Sequence, residues 1–267
     1  MEFFDSHCHL DDERFDEDRE KLIAEIKKAD ITKFITAGYS IDGSIKGVVL
    51  SQIYDDTYTT CGISPNDIPQ DEDELWKDIE TIKNLVEDHI KDKKIVAIGE
   101  IGLDYYWEKD LQRRELQRQA FIKQIEMANA FDLPIVIHTR EAVMDTLEIV
   151  KKHTVNQKGV FHCCPFNREL VKEALKLGFY ISFAGPVTFK NSKNANEMIE
   201  MVPNDKMLIE TDSPYLAPEP VRGTRNDPRN VKYIAQKIAE VKGMTLEEVA
   251  KRTYENAKEI FGIKMSH

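Results

Sequence analysis

The stretch AFIKQIEMANAFDLPIVIHT, residues 120–139, reads as two elements placed back to back. Ala120, Phe121, Ile125 and Ala128 recur at helical spacing, and PIVIHT (134–139) follows as a short apolar run. A short β-branched run without polar alternation suits a parallel strand buried on both faces. The same pairing recurs along the chain. Seven other strand candidates are EFFDSH (2–7), ITKFITAG (31–38), YTTCGI (58–63), KIVAIGE (94–100), GVFHC (159–163), FYISFAG (179–185) and KMLIET (206–211). Helical patterns lie between them, as with Leu75, Ile79, Ile82 and Val86. Thr245 and Glu248 form a capping box ahead of LEEVAKRTYENAKEIFG, with Gly262 as its stop.

Eight strand–helix alternations predict an α/β fold, a (β/α)₈ TIM barrel, with a large doubly wound sheet as the alternative. No Gly-x-Gly-x-x-Gly turn follows the first strand, which disfavours a nucleotide-binding sheet. The 267 residues hold no linker, repeat or low-complexity tract, so a single domain over 1–267 is expected.

Hydrophobic residues make up 41% of the chain, enough for a sizeable core. No apolar run approaches the roughly 18–20 residues that span a bilayer. MEFFDSHCH has neither a basic region nor an apolar stretch, so no signal peptide is expected. Cys8, Cys61, Cys163 and Cys164 lack CxxC spacing, which fits a reducing, cytoplasmic setting. The net charge of −11 argues against a broad basic surface for nucleic acid. It leaves a phosphate substrate open, because bound divalent cations reverse the potential at a site.

His7 and His9 stand at i and i+2 near the end of the first strand, so both face one side while Cys8 faces away. Alone, such a pair is a weak signal. The other candidates raise it: Glu100 closes the fourth strand, His138 the fifth and His162 the sixth, and Asp212 follows the eighth. In a barrel these positions share one rim, where active sites form. Clustered imidazoles and buried acids are costly without a cation, so the six residues are read as metal ligands. His89, His153 and His267 fall in predicted helices or at the tail and are left out.

FFDSHCHLD, GEIGLDYY, PIVIHTREA, VFHC, ISFAGPVTFKN and IETDSPYLAP with VRGTRNDP resemble, in order, the motifs of the TatD-type metal-dependent deoxyribonucleases. The likeness runs from residue 4 to about residue 260. It implies a barrel carrying one or two divalent metals and hydrolysing DNA phosphodiester bonds, several members resembling exonucleases that work from the 3′ end of single strands. It also implies His7, His9, Glu100 and Asp212 around one metal and Glu100, His138 and His162 around a second, with Glu100 bridging. Two departures stand out: CGISPND carries Ser64 at the histidine of the family's Gly-x-His-Pro and Asn66 where another histidine often follows two residues later, and HCCPFN (162–167) replaces His-Cys-Phe-Ser-Gly.

Within that scheme Glu100 and Asp212 are the catalytic candidates, Asp212 as ligand and proton acceptor for the attacking water. Arg140, Arg222 and Arg225 lie on predicted rim loops and suit phosphate contact. Asp104 is placed near the substrate and as an acceptor that orients a ligand histidine. Tyr105, Tyr106 and Trp107 are candidates for stacking unpaired bases, with at least one expected in the core. Four imidazoles with two carboxylates favour Zn, Mn, Fe, Co or Ni over Mg, and the resemblance implies activity with Mg or Mn, so a site that binds Zn or Ni and works with Mg or Mn is expected. DNA is the expected substrate, with no membrane association and no obligate protein partner. The rival readings are an amidase or lactonase on the same barrel, or a non-catalytic metal-binding scaffold.

Overall fold

The computed structural model describes residues 1–264, so His267 lies outside the described residues. Eight parallel strands form one sheet in the order of the chain: β1 (Phe3–Cys8), β2 (Ile31–Ala37), β3 (Thr57–Cys61), β4 (Ile95–Asp104), β5 (Ile135–Arg140), β6 (Gly159–Phe161), β7 (Tyr180–Phe183) and β8 (Met207–Ile209). Helices follow each strand: α1 (Arg19–Lys28), α2 (Ile41–Ile53), α3 (Glu72–His89), α4 (Leu111–Ala130), α5 (Val143–Lys152), α6 (Arg168–Lys176), α7 (Ala195–Met201) and α8 (Val231–Lys242), with α9 (Leu246–Ile260) at the end. The seam between β8 and β1 closes just past the strands, where the Asp212 amide donates to the His7 carbonyl (2.9 Å) and the His9 amide to the Ser213 carbonyl (2.7 Å). The fold is thus the (β/α)₈ barrel, nearly closed.

Each helix buries one stripe against the barrel. In α3, Leu75, Ile79, Ile82 and Val86 are all buried, and each contributes roughly 1.5–3 kcal/mol relative to exposure. The α9 helix starts on the Thr245–Glu248 capping box and ends before Gly262, which adopts the left-handed conformation expected after a helix. Its last residues continue to Phe261 and Ile263, which join Phe4, Ile35, Val136, Val160, Tyr180 and Leu208 in one apolar cluster. That cluster fills the barrel floor, so the open mouth is at the C-terminal ends of the strands. Among the described residues no helix is long and apolar enough to cross a membrane.

Two register slips aim side chains at the mouth. The β1–β2 ladder slips between Asp5 and Cys8, and the local change of alternation turns His7 and His9 inward while Cys8 packs outward in the core. The β4–β5 ladder slips between Ile98 and Ile101. Glu100 therefore sits at an irregularity inside a ten-residue strand rather than at a strand end, and β4 continues to Asp104. Glycine makes this possible. Gly102 has φ of +140°, and a Cβ there would lie 2.0 Å from the His138 carbonyl oxygen. By contrast β6 and β8 end early, before His162 and Glu210. The chain leaves the ladder there through Cys163 and Asp212, both at positive φ.

Gly102→Ala is expected to cost about 3 kcal/mol or more, through backbone strain and collision with β5. A lowered urea midpoint at unchanged slope would report it.

Candidate metal centre

The six expected ligands converge on one patch of the barrel mouth. His7 Nε2 and His9 Nε2 are 3.3 Å apart. Glu100 Oε2 stands 3.4 Å from His7 Nε2 and 3.8 Å from His9 Nε2. Asp212 Oδ1 stands 3.6 Å and 3.3 Å from the same two nitrogens. The other carboxylate oxygen, Glu100 Oε1, lies 2.9 Å from His138 Nδ1 and 3.2 Å from His162 Nε2, and those two nitrogens are 3.3 Å apart. One carboxylate thus faces two separate ligand sets. His7 also stacks on His162, ring centroids 4.1 Å apart, which keeps the sets contiguous.

These spacings fit cations. Donors about 2.0–2.2 Å from a tetrahedral ion stand roughly 3.3–3.6 Å apart from one another. The first set offers four donors near that spacing, and the second offers three, which leaves a position open as catalytic sites require. Contact in this set is made by nitrogen and carboxylate oxygen alone, a donor mix that suits Zn, Ni, Mn or Fe.

Three of the four histidines are held from behind, whereas His7 Nδ1 is buried without a hydrogen-bond partner among the described residues. His9 Nδ1 is 3.0 Å from the Ala37 carbonyl, so Nδ1 carries the proton and Nε2 is free to ligate. His138 Nε2 donates to Asp104 Oδ2 at 2.9 Å, and His162 Nδ1 donates to Glu210 Oε1 at 3.2 Å. Glu210 also accepts from the Cys163 amide at 2.7 Å, which pins the turn beyond β6. Asp5, fully buried, accepts from the Thr211 amide (2.9 Å) and hydroxyl (2.5 Å) and ties β1 to the Asp212 turn.

Electrostatics follow from this crowding. Burial opposes the charge on Glu100, but His162, His138 and His7 hold its carboxyl well below the usual range. Asp212 behaves alike: burial opposes its charge, and His9, His162 and His7 depress its pKa. Burial also opposes charge on His9, yet Asp212, Glu100 and Asp11 lift its pKa to about 9. His138 and His162 are raised against burial, His138 by Asp104 and Glu100 and His162 by Glu100 and Glu210. His7 is lowered, by burial and by His162. The carboxylates thus favour imidazolium charge on His9, His138 and His162 and not on His7.

The comparisons with known proteins bear on the chain's family and its metal dependence. The family model described as TatD related DNase matches residues 4–262. The chain belongs to the TatD related DNase family. The uncharacterized metal-dependent hydrolase YabD of Bacillus subtilis (strain 168) is 41% identical over 261 residues, covering 97% of this chain and 99% of its own. The uncharacterized metal-dependent hydrolase YcfH of Escherichia coli (strain K12) is 36% identical over 270 residues, covering 100% and 98%. The crystal structure of the TatD homologue YjjV from Escherichia coli K12 superposes with a TM-score of 0.90 at 24% identity, over 98% of both chains, and shares the fold. The chain is a metal-dependent hydrolase of this family.

The TatD barrel opens above the ligands into a cleft of about 820 Å³, which Arg140, Tyr39, Ser64, Asn66, Cys163 and Tyr215 help to line. Ser64 hydrogen-bonds Asp67, and Asn66 Nδ2 donates to Asp104 Oδ2 at 3.2 Å. The two departures from the family pattern therefore stand in the cleft wall. Asp104 is fully buried beneath His138 and faces that ligand rather than the cleft. Arg225 is committed elsewhere: it makes two bonds to Asp18, at 2.9 Å and 2.6 Å, and one to the Arg14 carbonyl. Arg222 lies over the Phe189 ring and 4.0 Å from Glu219. Neither Arg222 nor Arg225 lines the cleft. His89 pairs with Asp92 at the end of α3 and His153 caps α5, both away from the mouth.

Asp5 and Glu210 went unread in the sequence. Glu210 had a signal, since IETD places acids at i and i+2 after a strand. Asp5, inside an apolar run, had only its own improbability as a buried acid.

Stripping metal with a chelator is expected to lower the melting temperature by roughly 5–10 °C relative to saturated protein, following the linkage of binding to folding. Because ligation needs neutral imidazoles and His9, His138 and His162 are raised, metal uptake at pH 7 releases protons and tightens as pH rises. Calorimetry in buffers of different ionisation enthalpy measures both.

Proposed function

We propose that this chain is a deoxyribonuclease that hydrolyses DNA phosphodiester bonds, working from the 3′ end of single strands. The observation that carries this reading is the division of Glu100, one oxygen toward His7 and His9 and the other toward His138 and His162. A carboxylate shared in this way suits a pair of divalent cations, Mg or Mn in the working enzyme and Zn or Ni as tightly held alternatives. When bound, such ions supply Lewis-acid charge at the phosphoryl oxygens and a water acidic enough to attack near neutral pH.

The protein's own groups do the rest. Glu100 and the four histidines fix where the phosphate is held. Asp212 borders the cleft with its carboxylate charged, and it accepts the proton that the attacking water gives up. Arg140 projects from the same face of β5 as His138 and offers a guanidinium to a phosphate oxygen. The chain's charge of −11 supports a substrate gripped at the cations and at Arg140, not along a basic track.

The amidase or lactonase reading often relies on a carbamylated lysine between the metals. Here that place holds Glu100, while Lys94 bonds the Asp55 and Thr57 carbonyls at the far end of β4. The full ligand set weighs against a scaffold without activity.

The test is 3′-end shortening of a labelled single-stranded oligonucleotide by metal-stripped protein re-supplied with Mg or Mn. Shortening that needs metal and falls at least about a hundredfold in Asp212→Asn is expected for a lost ligand and proton acceptor. Stoichiometric metal binding with no cleavage under any of these ions would overturn the reading.

A further inference from the structure

The loop that joins β4 to α4 carries an aromatic pair that the metal chemistry does not use. Tyr105 turns into the core, but Tyr106 and Trp107 are 40% and 67% exposed. Exposed aromatics on a slack loop would mean little. This loop is pinned: Asp104 Oδ1 accepts from the Tyr106 amide (3.0 Å) and the Trp107 amide (3.1 Å). Arg114 donates to the carbonyls of Glu108 (2.8 Å) and Tyr105 (3.2 Å) from the first turn of α4. The two rings stand edge to face with centroids 4.7 Å apart. The Arg140 guanidinium lies 3.8 Å from the Tyr106 ring centre and 5.8 Å from that of Trp107.

Position gives the pair its meaning. Asp104 and Arg140 are register partners in the β4–β5 ladder. The same Asp104 carboxylate that holds the loop amides with one oxygen accepts from the ligand His138 with the other. Arg140 lines the cleft and has no ion-pair partner among the described residues. The path outward from the ligands thus runs from His138, past a guanidinium that rests on Tyr106 without a carboxylate partner, to a fixed aromatic surface.

We propose that Tyr106, Trp107 and Arg140 form a base-recognition subsite, in which the unpaired base of the nucleotide next to the bond being cut stacks on Trp107 while Arg140 takes its phosphate. This rests on the phosphodiesterase reading and adds to it the part of the substrate that is read. Every base has a π face, so the subsite selects for an unpaired base without selecting sequence. Its pinned loop lowers the ordering cost of stacking.

The test compares two oligonucleotides, one natural and one with an abasic residue at the terminal position. In the wild-type protein kcat/KM favours the base-bearing strand by roughly 5–150-fold, the worth of one stacked base. Trp107→Ala brings that preference close to unity, and Trp107→Phe restores most of it. A preference unchanged in Trp107→Ala, or an equal loss on both substrates with no change in their ratio, overturns the subsite.

A second readout separates this failure from failure of the nuclease reading. The chain holds two tryptophans. Trp76→Phe leaves Trp107 as the single indole. Quenching of its fluorescence by the natural strand, and much less by the abasic one, is expected whether or not cleavage occurs. Equal quenching by both, or none, counts against the subsite even where the nuclease assay succeeds.

Discussion

Everything at the mouth of this barrel turns on one buried carboxylate. Glu100 is 7% exposed and sits among four imidazoles and the Asp212 carboxylate. Burying that many polar groups is costly unless they are paired, so the arrangement exists only because charge is balanced inside it. Against burial, Asp212 and Glu100 raise the proton affinity of His9, Asp104 and Glu100 that of His138, and Glu100 and Glu210 that of His162. The same atoms are spaced as ligands for cations would be.

The rest of the structure serves that balance. The strand slips beside Cys8 and Glu100 aim the ligands, and glycine at 102 lets β4 and β5 approach at the level of His138. Behind the ligands stand Asp104, Glu210 and the Ala37 carbonyl, which choose the tautomer of three histidines. Asp5 and the Thr211 hydroxyl close the seam between first and last strands, so Asp212 is held to His7 by the barrel itself. The cleft wall is tied to the same framework, with Ser64 bonded to Asp67, Asn66 to Asp104 and the Cys163 amide to Glu210.

Much of this was legible in the sequence because two signals reinforced each other. Short β-branched runs alternating with helical periodicity gave the barrel, and the barrel gave meaning to residues such as His138 at a strand end. What could not be read was local geometry. Glu100 looked like a strand terminus, since nothing in KIVAIGE announces a register slip followed by four more strand residues. Asp104 was legible both as a substrate contact and as the acceptor behind a ligand histidine, and its burial and its bond to His138 favour the second. Arg225 was indistinguishable from Arg140 until Asp18, far away in sequence, was seen to hold it. Of the three adjacent aromatics, only packing decided that Tyr105 is core and Trp107 is not.

The most direct measurement is metal content and affinity in the wild-type protein beside Glu100→Gln, by mass spectrometry of dialysed protein and by titration. Two ions per chain are expected in the wild type, with both sites weakened at least about tenfold by the substitution, as befits a shared ligand. Loss of one ion with the other held as tightly as before would show that Glu100 serves a single site and would contradict the bridging role.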